Sequence, residues 1–246
     1  MIRLQAVTVT GRLQDISLNL TSGQCVHLIG ANGAGKSSLL TVLAGLLDID
    51  SGQYLLLNNA INTYQPAELA YYRTFLEQDY HCAFPLTVAE LLDYYSGGSH
   101  IDDSLAAALE ISAFYHRPLT ALSGGELQRV HLARVLLQLW PQIEHGQALL
   151  LLDEPLQGLD YRHQHQLLTL LNALAIKGNL VVMSSHDLTM SFDYADRLVL
   201  LKNQRLLACD TVGELVESTR LAETLDCRVH WLYDSNGRCA VRTEPD

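Results

Sequence analysis

The sequence predicts an α/β fold in which a parallel-sheet core follows an antiparallel β segment and is interrupted by a helical one. Strands and helices alternate along much of the chain, the pattern of parallel strands joined by crossover helices. Ala148-Leu-Leu-Leu-Leu152 is a continuous apolar run of the kind that lies buried on both faces of such a sheet. From Thr87 to about Trp140, by contrast, apolar residues recur three and four apart, as helices require.

The elements follow in order. Arg3 to Val9 and Ile16 to Leu20 alternate apolar and polar side chains, as half-buried antiparallel strands do. Cys25 to Ile29 is a short, mostly apolar strand that ends at Gly30, and Lys36 to Ala44 has helical spacing, so strand, glycine-rich turn and helix succeed one another. Ser51-Gly52 and Asn58-Asn59 mark turns around a strand at Tyr54 to Leu57. The helical insertion holds three segments: Val88 to Tyr95, Asp103 to Ala113 and Gly125 to Leu139. After the run at 148–152 come a helix from Arg162 to Ala175 and a buried strand from Leu180 to Ser184. A closing hairpin, Arg197 to Leu201 with Arg205 to Ala208, turns at Asn203. Beyond Asp210 a short helix and strand are appended. The expectation is one domain over 1–246, with the core in 1–78 and 148–208, a helical subdomain in 79–140 and an extension in 209–246.

With 246 residues, 48% of them hydrophobic, the chain can bury a sizeable core. Its 16 lysines and arginines stand against 27 acidic residues, a formal charge of -11, so the summed field repels nucleic-acid backbones and no nucleic-acid partner is expected. A phosphate ligand must then be met by backbone amides and a few placed cations. The five cysteines are scattered and form no C-x-x-C pair, which argues against a disulfide framework and a zinc site. No signal-peptide stretch and no run of about 18 apolar residues is seen, so any membrane crossing falls to another chain.

The cation and the amides are supplied at Gly30-Ala31-Asn32-Gly33-Ala34-Gly35-Lys36-Ser37, which satisfies G-x-x-x-x-G-K-[ST] directly after a strand and at the start of a helix. The glycines let successive amides turn inward onto phosphate oxygens, and the helix adds the positive end of its dipole. Lys36 reaches the β and γ phosphates, Ser37 offers its hydroxyl to Mg²⁺, and Ser38 continues the cradle. A glycine-rich turn with a chance lysine would lack this flanking context. At Ala148 to Pro155 an apolar strand delivers Asp153 and Glu154 at its C-terminal end, where ligands of open α/β sheets sit. Asp153 is placed to hold Mg²⁺, and Glu154 to take a proton from an attacking water.

Leu122-Ser123-Gly124-Gly125-Glu126-Leu-Gln128-Arg129 falls between these two motifs. Here the sequence resembles the nucleotide-binding domain of ATP-binding-cassette transporters, whose core is a P-loop NTPase of RecA-like fold. The physics of the segment is a second anion-binding helix start, with Ser123 as N-cap, Glu126 at capping-box spacing, and the amides of Gly124 and Gly125 open.

The resemblance implies that this second site binds the γ phosphate of ATP held by another copy, so that a head-to-tail homodimer sandwiches two nucleotides. It also implies roles for Gln78 as sensor of Mg²⁺ and of the permease, for Asp160 of Gly158-Leu-Asp160 at the dimer seam, and for His186 as a γ-phosphate contact. These domains often stack adenine on an aromatic near the start; Val7 to Leu13 contains none, and Arg12 is the candidate there. An apolar patch of Tyr80, Phe84, Pro85 and Leu86 is suited to a cytoplasmic helix of the permease or to the helical core. The connector Leu139 to Gln147 and the stretch Val182 to Leu188 resemble those of vitamin B12 importer ATPases of Gram-negative bacteria. That implies ATP and Mg²⁺ as ligands, a transmembrane permease dimer as partner, a periplasmic binding protein as indirect partner, and a place on the cytoplasmic face of the inner membrane. Iron-siderophore and haem importers, exporters with a separate permease, and soluble cassette ATPases are the alternatives.

Overall fold

A computed structural model gives the fold and describes residues 1–78, 86–98, 101–233 and 239–245. The chain runs β1 (Ile2–Val9), β2 (Leu13–Leu20), β3 (Gln24–Ile29), α1 (Lys36–Leu43), β4 (Ser51–Leu56), β5 (Asn59–Ala60), α2 (Pro66–Tyr72) and β6 (Arg73–Leu76). The helical part holds α3 (Val88–Ser96), α4 (Asp103–Leu109), α5 (Gly124–Leu137) and α6 (Trp140–Glu144). Then follow β7 (Leu149–Leu152), α7 (Tyr161–Ile176), β8 (Leu180–Ser184), α8 (Leu188–Tyr194), β9 (Arg197–Lys202) and β10 (Arg205–Asp210). The end is α9 (Val212–Val216), α10 (Arg220–Leu225), β11 (Cys227–Tyr233) and β12 (Cys239–Pro245).

One sheet has the order β10-β9-β3-β8-β7-β6, and all of its strands except β10 run parallel. A second, antiparallel sheet, β2-β1-β4-β5, covers one side of it. The period of two in a strand sends alternate side chains to opposite faces. On β7, Leu149 and Leu151 therefore join α1 and the antiparallel sheet, while Leu150 and Leu152 join α5 and α7 on the other face. Each fully buried leucine contributes about 1.5 to 3 kcal/mol, so a four-leucine strand anchors both layers at once.

Several boundaries differ from the expectation. The helix begun at Asp103 stops at Glu110, which takes a left-handed conformation (φ 49°), and a tight turn over Ile111–Phe114 then buries Ile111 and Phe114. The long helix expected to reach Leu139 ends at Leu137, because Pro141 cannot continue it: its ring collides with the carbonyl four residues back. Ser51 and Gly52 belong to β4, while the second turn, expected at Asn58 and Asn59, falls one residue earlier at Leu57 and Asn58, both at positive φ. The tail is two short helices and a hairpin, with Trp231 of β11 packed on Phe192 of α8 at 5.2 Å between ring centroids.

His27 on β3 is completely buried, with Nδ1 3.0 Å from Ser191 Oγ and Nε2 3.6 Å from Cys25 Sγ. Burial lowers its pKa from an ordinary 6.5 to about 3. Between those values the unfolded chain binds a proton that the folded chain refuses, so stability is intact above pH 6.5 and is lost as the pH falls. From pH 7 to pH 5 the cost is about 2 kcal/mol. Urea unfolding at the two pH values should show His27→Gln losing that much less than the parent, whereas equal losses would mean that the folded protein protonates His27.

Candidate functional site

Four parallel strands, β3, β6, β7 and β8, end at one edge of the sheet, and each delivers its part of the site there. From β3 the chain enters the turn 30–35, in which Gly33 and Gly35 stand at φ 78° and 105°, conformations that favour glycine. A Cβ on Gly35 would also meet Arg12 O at 3.1 Å, so the turn can sit this close to the N-terminal sheet only with glycine there. Gly35 precedes α1 without any side-chain cap, which leaves the first amides of the helix to an anion.

The Lys36 side chain is folded back and almost buried. Of its three N–H bonds, one goes to Gly30 O at 2.8 Å and one to Ala31 O at 3.2 Å. Burial lowers the pKa of the ammonium, and the nearby carboxylates of Glu154 and Asp153 oppose that shift.

After β7, Asp153 N donates to Leu76 O on β6 at 2.9 Å. Glu154 then takes a left-handed backbone conformation, φ 48°, unusual for a residue with a Cβ. The turn is held by Ser184 at the end of β8: its hydroxyl donates to Asp153 Oδ1 at 2.6 Å and accepts from Glu154 N at 2.8 Å. The Glu154 carboxylate accepts from Gln78 Nε2 at 3.1 Å and from His186 Nε2 at 2.6 Å. Gln78, Glu154 and His186, from three different loops, thus form one hydrogen-bonded row. No motif in the sequence points to Ser184. Its signal is a serine at the end of an otherwise apolar buried strand beside β7.

The row faces Lys36 across a cleft of about 800 Å³ that is also lined by Asn32, Gly33, Gly35, Ser37 and Ser38. Arg12 and Gln204 also line it, and among the described residues no Phe, Tyr or Trp does. Asp153 is buried behind Glu154, and Ala34 is packed inside the turn.

Ser123 to Glu126 and Asp160 are not among the residues lining this cleft. Ser123 and Glu126 form the reciprocal capping box, with Glu126 also paired to Arg117 at 2.8 Å, so the Glu126 carboxylate is spent on helix geometry while Gly124 stays exposed. Gly125 lies against the next loop, where a Cβ would come within 2.7 Å of Gly158 O. Asp160 caps α7 by accepting from His163 N at 2.9 Å. Of the apolar patch beyond Gln78, Tyr80, Phe84 and Pro85 lie outside the described residues, and Leu86 packs against the helical core.

The glycine-rich turn with Lys36 faces the Gln78–Glu154–His186 row across one cleft, the capped helix start at Ser123 lies apart from it, and the chain belongs to the ABC transporter family, whose model matches residues 13–157. It is 36% identical to a hemin import ATP-binding protein of Rhodopseudomonas palustris, over 94% of this chain and 91% of that one. It is 38% identical to the vitamin B12 import ATP-binding protein of Citrobacter koseri, over 99% and 98%. A dimeric bacterial ABC transporter cassette superposes with a TM-score of 0.71 at 23% identity, over 86% of this chain and 99% of that one. A nucleotide-free cassette superposes at 0.73 and 24% identity, over 90% and 94%. Cassettes of this family bind ATP with Mg²⁺. Among the described residues no helix is long and apolar enough to cross a membrane.

Proposed function

We propose that the chain is the ATP-hydrolysing subunit of a bacterial vitamin B12 importer, working as a head-to-tail homodimer beneath a separate permease dimer on the cytoplasmic face of the inner membrane. The observation that carries the hydrolytic part is the division of the site: the cradle and carboxylate row share one cleft, and the second anion-binding helix start lies apart from it. A second copy turned head to tail would bring its Ser123-Gly124-Gly125 turn to the γ phosphate held at Lys36.

The donors available to Mg²⁺ are the Ser37 hydroxyl, the Asp153 carboxylate and the Gln78 amide oxygen. All are hard oxygens of the type this cation prefers, so the residues fit the ion. Bound there, Mg²⁺ would neutralise charge on the β and γ phosphates. The protein does the rest with its own groups. Lys36 and the amides of 33–38 bind and orient the phosphates. Glu154 takes the proton of a water as its oxygen bonds to the γ phosphorus and the bond to ADP breaks. Gln78 and His186 hold the Glu154 carboxylate at two oxygens, so its direction is fixed before substrate arrives. ATP joins the two copies through each γ phosphate, hydrolysis removes that bridge, and the dimer opens and resets the permease.

Support for vitamin B12 comes from the near-complete coverage in both directions of the vitamin B12 import protein at 38% identity. Haem is the second reading, favoured by hemin import proteins 36 to 40% identical to the chain. The test is ATPase activity and uptake after the chain is joined in lipid vesicles to a vitamin B12 permease or to a hemin permease, each with its loaded binding protein. Stimulation with cobalamin uptake by the first pairing alone is expected. Stimulation by the hemin pairing alone would transfer the cargo to haem.

A further inference from the structure

We propose that His163 is a positioning residue that locks helix α5 to the loop ending at Asp160, and so sets the half-site that one copy offers to nucleotide on the other; the inference rests on the dimer reading above. His163 lies on α7, outside the nucleotide cleft, and its side chain is only 11% exposed. Nδ1 is 2.8 Å from Asp160 Oδ1, and Nε2 is 3.0 Å from Arg129 Nη1. A carboxylate can only accept, so Nδ1 donates to Asp160, while Nε2 lies within reach of both the Arg129 guanidinium, a donor, and the Glu110 carboxylate at 3.3 Å, an acceptor. One imidazole thereby joins the loop to the helix.

Both ends of the bridge are anchored. Arg129 is buried, donates to Leu109 O at 3.0 Å and lies over the Phe114 ring at 4.9 Å, so it is fixed to the helical subdomain. Glu110, at the left-handed end of α4, stands 3.3 Å from His163 Nε2 and is paired to Arg162 at 2.7 Å. Asp160 is fixed by its cap on α7. The same loop is gripped twice more from α5, by the close approach of Gly125 to Gly158 O and by Gln128 Nε2 donating to Pro155 O at 3.3 Å. Gln164 on α7 adds a bond to Leu159 O at 3.1 Å. The loop between Glu154 and Asp160 is thus held in one register with the Ser123-Gly124-Gly125 turn, and His163 is the side chain that joins its far end to that helix.

None of these contacts touches the cleft that holds a copy's own ATP. Loss of the bridge should therefore spare ATP binding by a single chain and weaken the ATP-dependent pairing of two. Sedimentation with Mg-ATP would compare the Glu154→Gln chain, in which hydrolysis does not reopen the dimer, with the same chain carrying His163→Ala, and a fluorescent ATP analogue would measure affinity at monomer concentrations. About tenfold weaker dimerisation with ATP affinity unchanged is expected from the loss of charge-assisted bonds. His163→Asn keeps a donor for Asp160 and His163→Gln an acceptor for Arg129; because a bridge needs both ends, each should show the loss. Parental dimerisation in any of the three variants, or an equal fall in ATP affinity, would overturn the bridge alone. A Glu154→Gln parent that stays monomeric with Mg-ATP would overturn the dimer reading and the bridge with it.

Discussion

Glu154→Gln should lower the turnover of ATP by roughly 10² to 10⁴ while leaving ATP affinity where it was. Glutamine keeps the length of the side chain and can still accept from His186, and Gln78 can turn its amide to meet the new NH₂ group, so the row of three survives. The backbone turn is equally undisturbed, because Ser184 holds it through the Glu154 amide and Asp153, not through the side chain that changes. What is lost is the basicity that takes the proton of the attacking water. Single-turnover phosphate release beside a nucleotide titration separates the two quantities, and turnover at the parental rate would remove Glu154 from the role of base.

Lys36→Met is expected to weaken ATP binding about 10²-fold and to abolish measurable hydrolysis. A charge-assisted hydrogen bond contributes about 1.5 to 3 kcal/mol, and the lysine directs its charge at phosphate groups that carry most of the ligand's charge. Methionine keeps the bulk of the lysine stem, and the loss of the buried bond to Gly30 O costs about 1 to 3 kcal/mol. The thermal midpoint should therefore fall by a few degrees. Nucleotide titration with a parallel melt distinguishes this from a folding defect; unchanged affinity would put the phosphates somewhere other than the turn 30–35.

The parts of the fold that the sequence announces are those in which one local pattern and one global role coincide. β7 is four leucines because both of its faces are covered, and the turn 30–35 is glycine-rich because its φ angles and its approach to Arg12 demand it. Elements whose shape is decided by distant partners are less legible. Asp103 to Ala113 has unbroken helical spacing, yet the helix stops at Glu110, where the side chain meets Arg162 and His163 on α7. Missed elements did carry signals: Pro66 at the first turn of α2 with the Gln65–Glu68 capping box, and Asp187 as N-cap of α8. For the site, the spacing of motifs points to Lys36, Asp153 and Glu154 as candidates, but the row joining Gln78, Glu154 and His186 is made by strand order, which no linear spacing encodes. His163 shows the same limit. Two residues from His165 it shares no face with it, and each finds a partner of its own, Asp160 with Arg129 for one and Tyr194 for the other.

The left-handed backbone at Glu154 ties two demands to one position. A side chain in that conformation costs roughly 1 to 2 kcal/mol relative to a right-handed one, a cost that glycine would not bear. The residue that the backbone would choose there has no carboxylate, and the residue that carries the carboxylate is one the backbone resists. Glycine would relax the backbone there but bring no carboxylate, so the position gives up local stability for the group that Gln78 and His186 hold.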